Sequence, residues 1–168
     1  MNISEAIRAR RSIRRYKPGV EIPREDFQKI LEAAMMAPSA CNSRPWEFVV
    51  VTDRQILEGI TKGMTYTQML KTASAAIIVC GLPQAQAGIS EGFWPQDCGA
   101  AIENILLQAL DLGYGTCWCG VYPRESNIAA VRQYVETEGV PLAVIAIGVP
   151  DESPAPRGHY EESKVRFL

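Results

Sequence analysis

The chain holds a single histidine, His159, so any Ser-His-Asp or Cys-His hydrolase would have to be built on it. No G-x-S-x-G nucleophile elbow accompanies it, and hydrolysis is set aside. Neither a Walker loop nor a G-x-G-x-x-G after a strand occurs, which leaves a Rossmann-type dinucleotide site without support. A strong excess of one charge is missing too: the net charge is −2, and nothing calls for a nucleic-acid partner. Long apolar runs are lacking. The longest, in AAIIVCGL, is strand-sized, against the roughly 20 apolar residues a membrane helix needs. The N-terminus, MNISEAIRARRS, has no apolar signal-peptide core, so a soluble, cytoplasmic protein is expected. The five cysteines (41, 80, 98, 117 and 119) are an odd number at irregular spacing, which suits a reducing compartment better than a disulfide framework. Cys117 and Cys119 form only C-x-C with no second pair, so no zinc site is expected and buried small hydrophobes are the better reading.

What is present fits one globular domain spanning 1–168, with 47% hydrophobic and 21% charged residues and no repeat or linker to divide it. Asn2 or Ser4 can cap a short helix through Arg10. Pro23 opens a second, with Phe27, Ile30, Leu31 and Ala34 at helical spacing up to Met36. WEFVVVT (46–52) reads as a buried strand, and Asp53 caps a helix to about Lys62. AAIIVCG (75–81) is a second strand, after a short helical stretch containing Met69 and Leu70. Residues 83–95 read as a loop or lid. From Gln96 to Leu112 runs the most apolar helix, apolar nearly all round, which predicts burial on more than one side, with a subunit partner expected on the second. A short strand carries Thr116–Trp118, Pro123 opens a helix to about Glu136, and PLAVIAIGV (141–149) is the third clear strand. The polar, proline-rich end should wrap over a surface. Helices around a small mixed or antiparallel sheet make an α+β fold.

Four segments could carry chemistry. ARRSIRRY (9–16) lies in a cluster of six basic residues between Arg8 and Lys17; arginine forks match phosphate oxygens, although a solvated basic turn would look the same. APSACNSRPW (37–46) joins a helix to a strand with small residues and turn formers. It could let backbone approach a flat ligand, or be an ordinary connection anchored by Trp46. In LGYGTCWCGVY (112–122), two glycines end the long helix and Cys119, Gly120 and Val121 follow the short strand. Backbone there could meet a cofactor atom, and the two thiols, two residues apart on a strand, should point the same way. In SKVRFL, Lys164 and Arg166 would project from one side of an extended tail, bound or merely solvated.

These four segments, in this order, resemble the FMN-dependent nitroreductase family over almost the whole chain. Arg10-Arg11-Ser12 resembles its R-[RH]-S element. P-S-x-x-N-S-x-P-W resembles its P-S-x-x-N-x-Q-P-W loop, with Arg44 in place of the commoner glutamine. Leu-Gly-Tyr-Gly-Thr-Cys-Trp and Glu-Ser-Lys-Val-Arg resemble its L-G-x-G-T-x-W and its terminal basic pair. The resemblance implies an intertwined homodimer binding FMN, with NADPH or NADH as reductant and a small-molecule electron acceptor such as a nitroaromatic or quinone, in ping-pong turnover. It implies that Arg10, Arg11 and Ser12, joined by Lys164 and Arg166, hold the ribityl phosphate. Arg14 would stand near the pyrimidine end of the ring, with Gln68 on its edge. Pro38, Ser39, Ala40 and Asn42 would come from the partner subunit, and the Cys119–Gly120–Val121 backbone would lie near N5. No side chain stands out as a general acid, and the flavin would carry the chemistry. Other reductive chemistry in the same family, such as dehalogenation or flavin reduction, and a non-enzymatic flavin- or metal-binding protein using Cys117 and Cys119, stay open. A substrate lid would come from about 62–72 or 83–95.

Overall fold

The structure, a computed structural model, describes residues 1–155, 157–158 and 160–168; the sole histidine, His159, lies outside the described residues. Five helices, α1 (Ile3–Ala9), α2 (Arg24–Met35), α3 (Arg54–Gly63), α4 (Trp94–Asp111) and α5 (Glu125–Arg132), surround four strands, β1 (Trp46–Val51), β2 (Ala75–Gly81), β3 (Gly115–Gly120) and β4 (Val140–Gly148). Short 3₁₀ turns lie at Ala40–Asn42, Thr65–Lys71, Pro83–Gln86 and Glu162–Lys164.

Local chemistry starts the helices where the sequence places them. Asn2 accepts from Glu5 N at 2.9 Å while Glu5 accepts from Asn2 N at 3.1 Å, a reciprocal cap on α1. Asp53 accepts from the amides of Gln55 and Ile56 at 2.7 and 3.2 Å and so opens α3. Helix α4 begins at Trp94, earlier than Gln96, because Pro95 sits in its first turn, where a missing N–H costs nothing. Helix α5 is shorter than 123–136 suggested: the chain after Arg132 turns back, and the Arg132 guanidinium donates to Gly139 O at 3.0 Å. Gly113, at φ 88°, ends α4 in the left-handed conformation that favours glycine.

The sheet order is β1-β2-β4-β3, antiparallel throughout its four strands, so of the mixed and antiparallel alternatives the second holds. Among the described residues the one parallel pairing is an isolated bridge between Ser12 and Thr116. Alternation along the central strands sorts two cores. Ala75, Ile77 and Val79 with Ala143, Ile145 and Ile147 pack under α2 and α4. Ala76, Ile78 and Cys80 with Val144 and Ala146 face the opposite side, where Leu57 and Ile60 of α3 and Ile128 and Val131 of α5 cover them. Helices on both faces explain why β2 reads as an unbroken apolar run.

The apolarity of α4 is largely satisfied within the chain, since α2 and the sheet bury Ala101, Ile102, Ile105, Leu106 and Ala109. What it leaves uncovered is narrower: half-buried Leu107 shares a groove of about 840 Å³ with Met1, Ile3 and Met36. The first part of the tail does wrap the surface, with Asp151 N donating to Arg15 O at 2.9 Å and Arg11 Nε to Ala155 O at 3.3 Å. Among the described residues no helix is long and apolar enough to cross a membrane.

Candidate functional site

Segment 10–16 is fixed by the two residues that turn inward. Ile13 N donates to Thr116 O at 2.8 Å, and the buried Tyr16 hydroxyl donates to Ile13 O at 2.7 Å. Burial raises the Tyr16 hydroxyl far above its ordinary range, so it serves as a neutral donor. The tail completes the clamp: Glu152 accepts from the backbone amides of both Arg14 and Arg15. With Ile13 and Tyr16 buried, Arg14 is turned outward.

Arg14 stands at the rim of a cavity of about 650 Å³, within the roughly 300–1,000 Å³ common for small-molecule sites. The opposite walls are residues 63–69, the Cys117–Gly120 part of β3, and Arg124, Ser126 and Asn127 at the start of α5. The 3₁₀ turn is tied down by Arg54, whose guanidinium donates to Ala73 O at 2.6 Å and to Leu70 O. Gln68 donates to Thr61 O at 3.1 Å, which leaves its amide oxygen as the free acceptor. Gly120 is bare on the cavity side: a Cβ there would meet nothing within 4 Å. Asn127 holds the Gly120 carbonyl at 3.2 Å.

Cys117 and Cys119 point the same way, as strand alternation predicts, and both are buried against the α3–α5 side. The neighbouring Cys119 thiol holds Cys117 below the usual thiol range despite burial, while the Cys117 thiol and burial push Cys119 above it. All five cysteines are free thiols. Among the described residues no three His, Cys, Asp or Glu side chains gather as a metal-ligand set.

The remaining predicted residues lie elsewhere. Arg10 pairs with Glu103 at 3.3 Å, and Arg11 donates to Arg10 O and Ala155 O; both line a second cavity of about 200 Å³. Ser12 lines neither cavity and is bridged to Thr116. Val121 is buried, its amide committed to Leu142 O at 2.9 Å. Lys164 pairs with Glu161 at 2.7 Å, and Arg166 is exposed. Arg14, Gln68, Cys119 and Gly120 are thus brought together around one cavity, with Arg10 and Arg11 at another and the tail cations on the surface.

Pro38, Ser39, Ala40 and Asn42 form a separate, outward loop that lines neither cavity. Its backbone is left-handed at three non-glycine residues, Cys41 (φ 52°), Asn42 (φ 53°) and Arg44 (φ 48°), a conformation that costs roughly 1–2 kcal/mol per residue. Buried polar groups hold it there. Asp97, in the first turn of α4, accepts from Ala40 N at 3.1 Å and from the Gln86 side chain at 2.7 Å. Gln86, fully buried, also donates to Ser43 Oγ at 3.1 Å, and Ser39 Oγ accepts from Arg44 N at 2.9 Å. Sequence reasoning missed Gln86 and Asp97. The one signal was an acid in the first turn of an otherwise apolar helix. Arg124 and Asn127 carried no signal at all.

Comparison with known proteins agrees along the chain. The model of the nitroreductase family matches residues 7–76 and 62–149. A Methanothermobacter thermautotrophicus protein with the provisional name NADH dehydrogenase/NAD(P)H nitroreductase is 42% identical over 171 residues, covering 99% of this chain and 87% of its own. A crystal structure under the same provisional name from Parabacteroides distasonis superposes with a TM-score of 0.90 at 36% identity, covering 98% of this chain and 96% of that one. A solved structure of an FMN-dependent nitroreductase from Clostridium difficile gives a TM-score of 0.87 at 32% identity, covering 98% of both chains. With matches of this extent across sequence and fold, the chain belongs to the nitroreductase family.

Proposed function

We propose that the protein is an FMN-dependent oxidoreductase that draws electrons from NADPH or NADH and passes them to a small acceptor such as a nitroaromatic or quinone. The observation that carries this reading is the 650 Å³ cavity, which has the Arg14 cation on its rim, the Gln68 amide on one wall and bare Gly120 backbone on another. Its donor set suits the ring of a flavin: a cation and an amide for a polar edge, and a strand without a side chain for close approach to a flat ring. Relatives named for FMN and for NAD(P)H support the same choice.

Bound FMN would supply the hydride chemistry, and the protein would supply orientation and electrostatics. Arg14 would favour the added negative charge of a reduced ring and so raise its affinity for electrons. Arg10, Arg11 and Ser12, with Lys164 and Arg166, would hold the phosphate by exchanging their exposed partners, Glu103 and Glu161, for a stronger dianion. The Cys119–Gly120–Val121 strand end would set the ring's depth, with its position fixed by Asn127 and by Leu142 O. Pro38, Ser39, Ala40 and Asn42 would serve the flavin of a second copy in an intertwined homodimer. Exposed Met1, Ile3 and Met36 in the groove beside α4 support such an interface. Five free thiols support a reducing, cytoplasmic setting.

The test is a titration of the purified protein. A yellow protein whose flavin absorbance bleaches with NADPH or NADH and returns on adding a nitroaromatic or quinone is the expected result. A protein that binds no flavin overturns the reading, and one whose flavin neither cofactor reduces is a flavin binder without this activity.

A further inference from the structure

The 650 Å³ cavity is one-sided in charge. Arg14 and Arg124 line it from different walls, and among the described residues no Asp or Glu does. The chain as a whole is slightly acidic, with 19 Asp and Glu against 17 Lys and Arg, so composition does not explain that lining. Among the described residues neither guanidinium has an ion-pair or hydrogen-bond partner. Two acids lie close by and leave them free. Glu152 accepts from the backbone amides of Arg14 and Arg15, and Glu125, next to Arg124, does not line the cavity. Nor does Arg124 serve its helix. It is the N-cap of α5, where Ser, Thr, Asp or Asn would bond the first amides, and its side chain makes no such bond.

A cavity lined by one sign of charge concentrates ligands of the other. In the proposed function Arg14 already answers the charge of a reduced ring, which leaves Arg124 as the surplus cation. Its place limits what it can meet. Asn127 Nδ2 donates to Gly120 O at 3.2 Å and so ties the start of α5 to the bare strand that the ring would approach. An anion held there has to sit close to the group being reduced, as a carboxylate on a small acceptor does. We propose that Arg124 selects electron acceptors that carry a carboxylate near the reducible group over uncharged acceptors of the same shape. This inference rests on the flavin reading of the cavity. The guanidinium fork matches two carboxylate oxygens, and Ser126 on the same wall offers a hydroxyl that is free among the described residues. The carboxylate is a handle only and changes no bond in the redox step. Arg124 is exposed, so its effect should be modest and screened by salt.

The experiment pits para-nitrobenzoate against para-nitrobenzamide, which differ in charge and little in shape, as oxidants of the flavin-loaded, pre-reduced protein. The two differ in intrinsic reactivity, so the readout is how the ratio of their second-order rate constants changes between proteins. Arg124→Gln should lower the acid-to-amide ratio about tenfold, Arg124→Glu should lower it further, and Arg124→Lys should keep most of it. In the parent the ratio should fall as salt is raised. A second arm needs no turnover: calorimetry should show the parent binding benzoate more tightly than benzamide, and Arg124→Gln should erase the difference. A protein that holds no flavin overturns the proposed function and this inference together. A flavin-loaded protein whose acid-to-amide ratio is unmoved by Arg124→Gln, or whose parent binds benzoate and benzamide alike, overturns this inference alone. So does weaker FMN binding by Arg124→Gln, which would assign the cation to the cofactor. An equal slowing of flavin reduction by NADPH and NADH would assign it to the nucleotide's diphosphate, and overturns it too.

Discussion

Segment 10–16 and loop 38–45 are held in opposite ways. The first borrows its geometry from the core: Ile13 and Tyr16 go inward, the sheet accepts their bonds, and Arg14 is left outward as a consequence. The second stands against its own backbone preference, left-handed at three residues, and is kept so by hydrogen bonds from Asp97, Gln86 and Ser39. Apolar burial is spread over many contacts and tolerates small errors. A polar clamp on a strained loop concentrates its effect in a few bonds, so single changes there should be felt more.

The largest effect should come from Asp97→Ala. It strips the acceptor from Ala40 N and Gln86 together in a buried site, which costs on the order of 3 kcal/mol for orphaned donors. Chemical denaturation should show that loss, and protease nicking near 40–44 should rise. A Tyr16→Phe variant as damaging as Asp97→Ala would break the contrast, since it removes only one hydroxyl from a segment that burial also holds.

The next effect sharpens the other side. If Arg10, Arg11 and Ser12 hold an FMN phosphate together with the tail cations, Lys164→Ala/Arg166→Ala should weaken FMN binding about a hundredfold, because charge-assisted bonds contribute roughly 1.5–3 kcal/mol each. Riboflavin, without phosphate, should bind the variant as it binds the parent. Fluorescence titration of both flavins reads the difference. Unchanged FMN affinity would leave Lys164 with Glu161 as its only business.

The same contrast explains what was legible in the sequence. Segment 10–16 and the strands could be read because their information is local: alternation in β2, a cap at Asp53, an arginine cluster with its own chemistry. The anchors of loop 38–45 could not, because Gln86 and Asp97 lie over 40 residues away in sequence and meet the loop only after α4 has docked on the sheet. The cavity was half legible for the same reason. Arg14, Cys119 and Gly120 belong to recognisable segments and Gln68 to a poorly patterned one, whereas Arg124 and Asn127 reach it only because α5 packs beside α3, where a Cβ at Gly63 would lie 2.4 Å from Ala130 Cβ. Most of the apolar surface of the long helix is covered by α2 and the sheet, which leaves the Leu107 side open.

The smallest effect tests the strain itself. Cys41 sits at φ 52° with an exposed side chain, its Sγ in a long bond of 3.8 Å to Ile89 O. Glycine adopts that conformation freely, which recovers roughly 1–2 kcal/mol of left-handed cost. It also gives the unfolded chain more freedom, which offsets roughly 0.5–1 kcal/mol. The signs oppose, and the first is larger. Cys41→Gly should therefore stabilise the fold by about 0.5 kcal/mol, a small upward shift in the urea midpoint with unchanged slope. The same glycine in the Asp97→Ala background should help no less, because relief of strain does not depend on the clamp. A Cys41→Gly protein less stable than its parent would mean that the left-handed backbone carries little strain, and that the clamp orders the loop without opposing it.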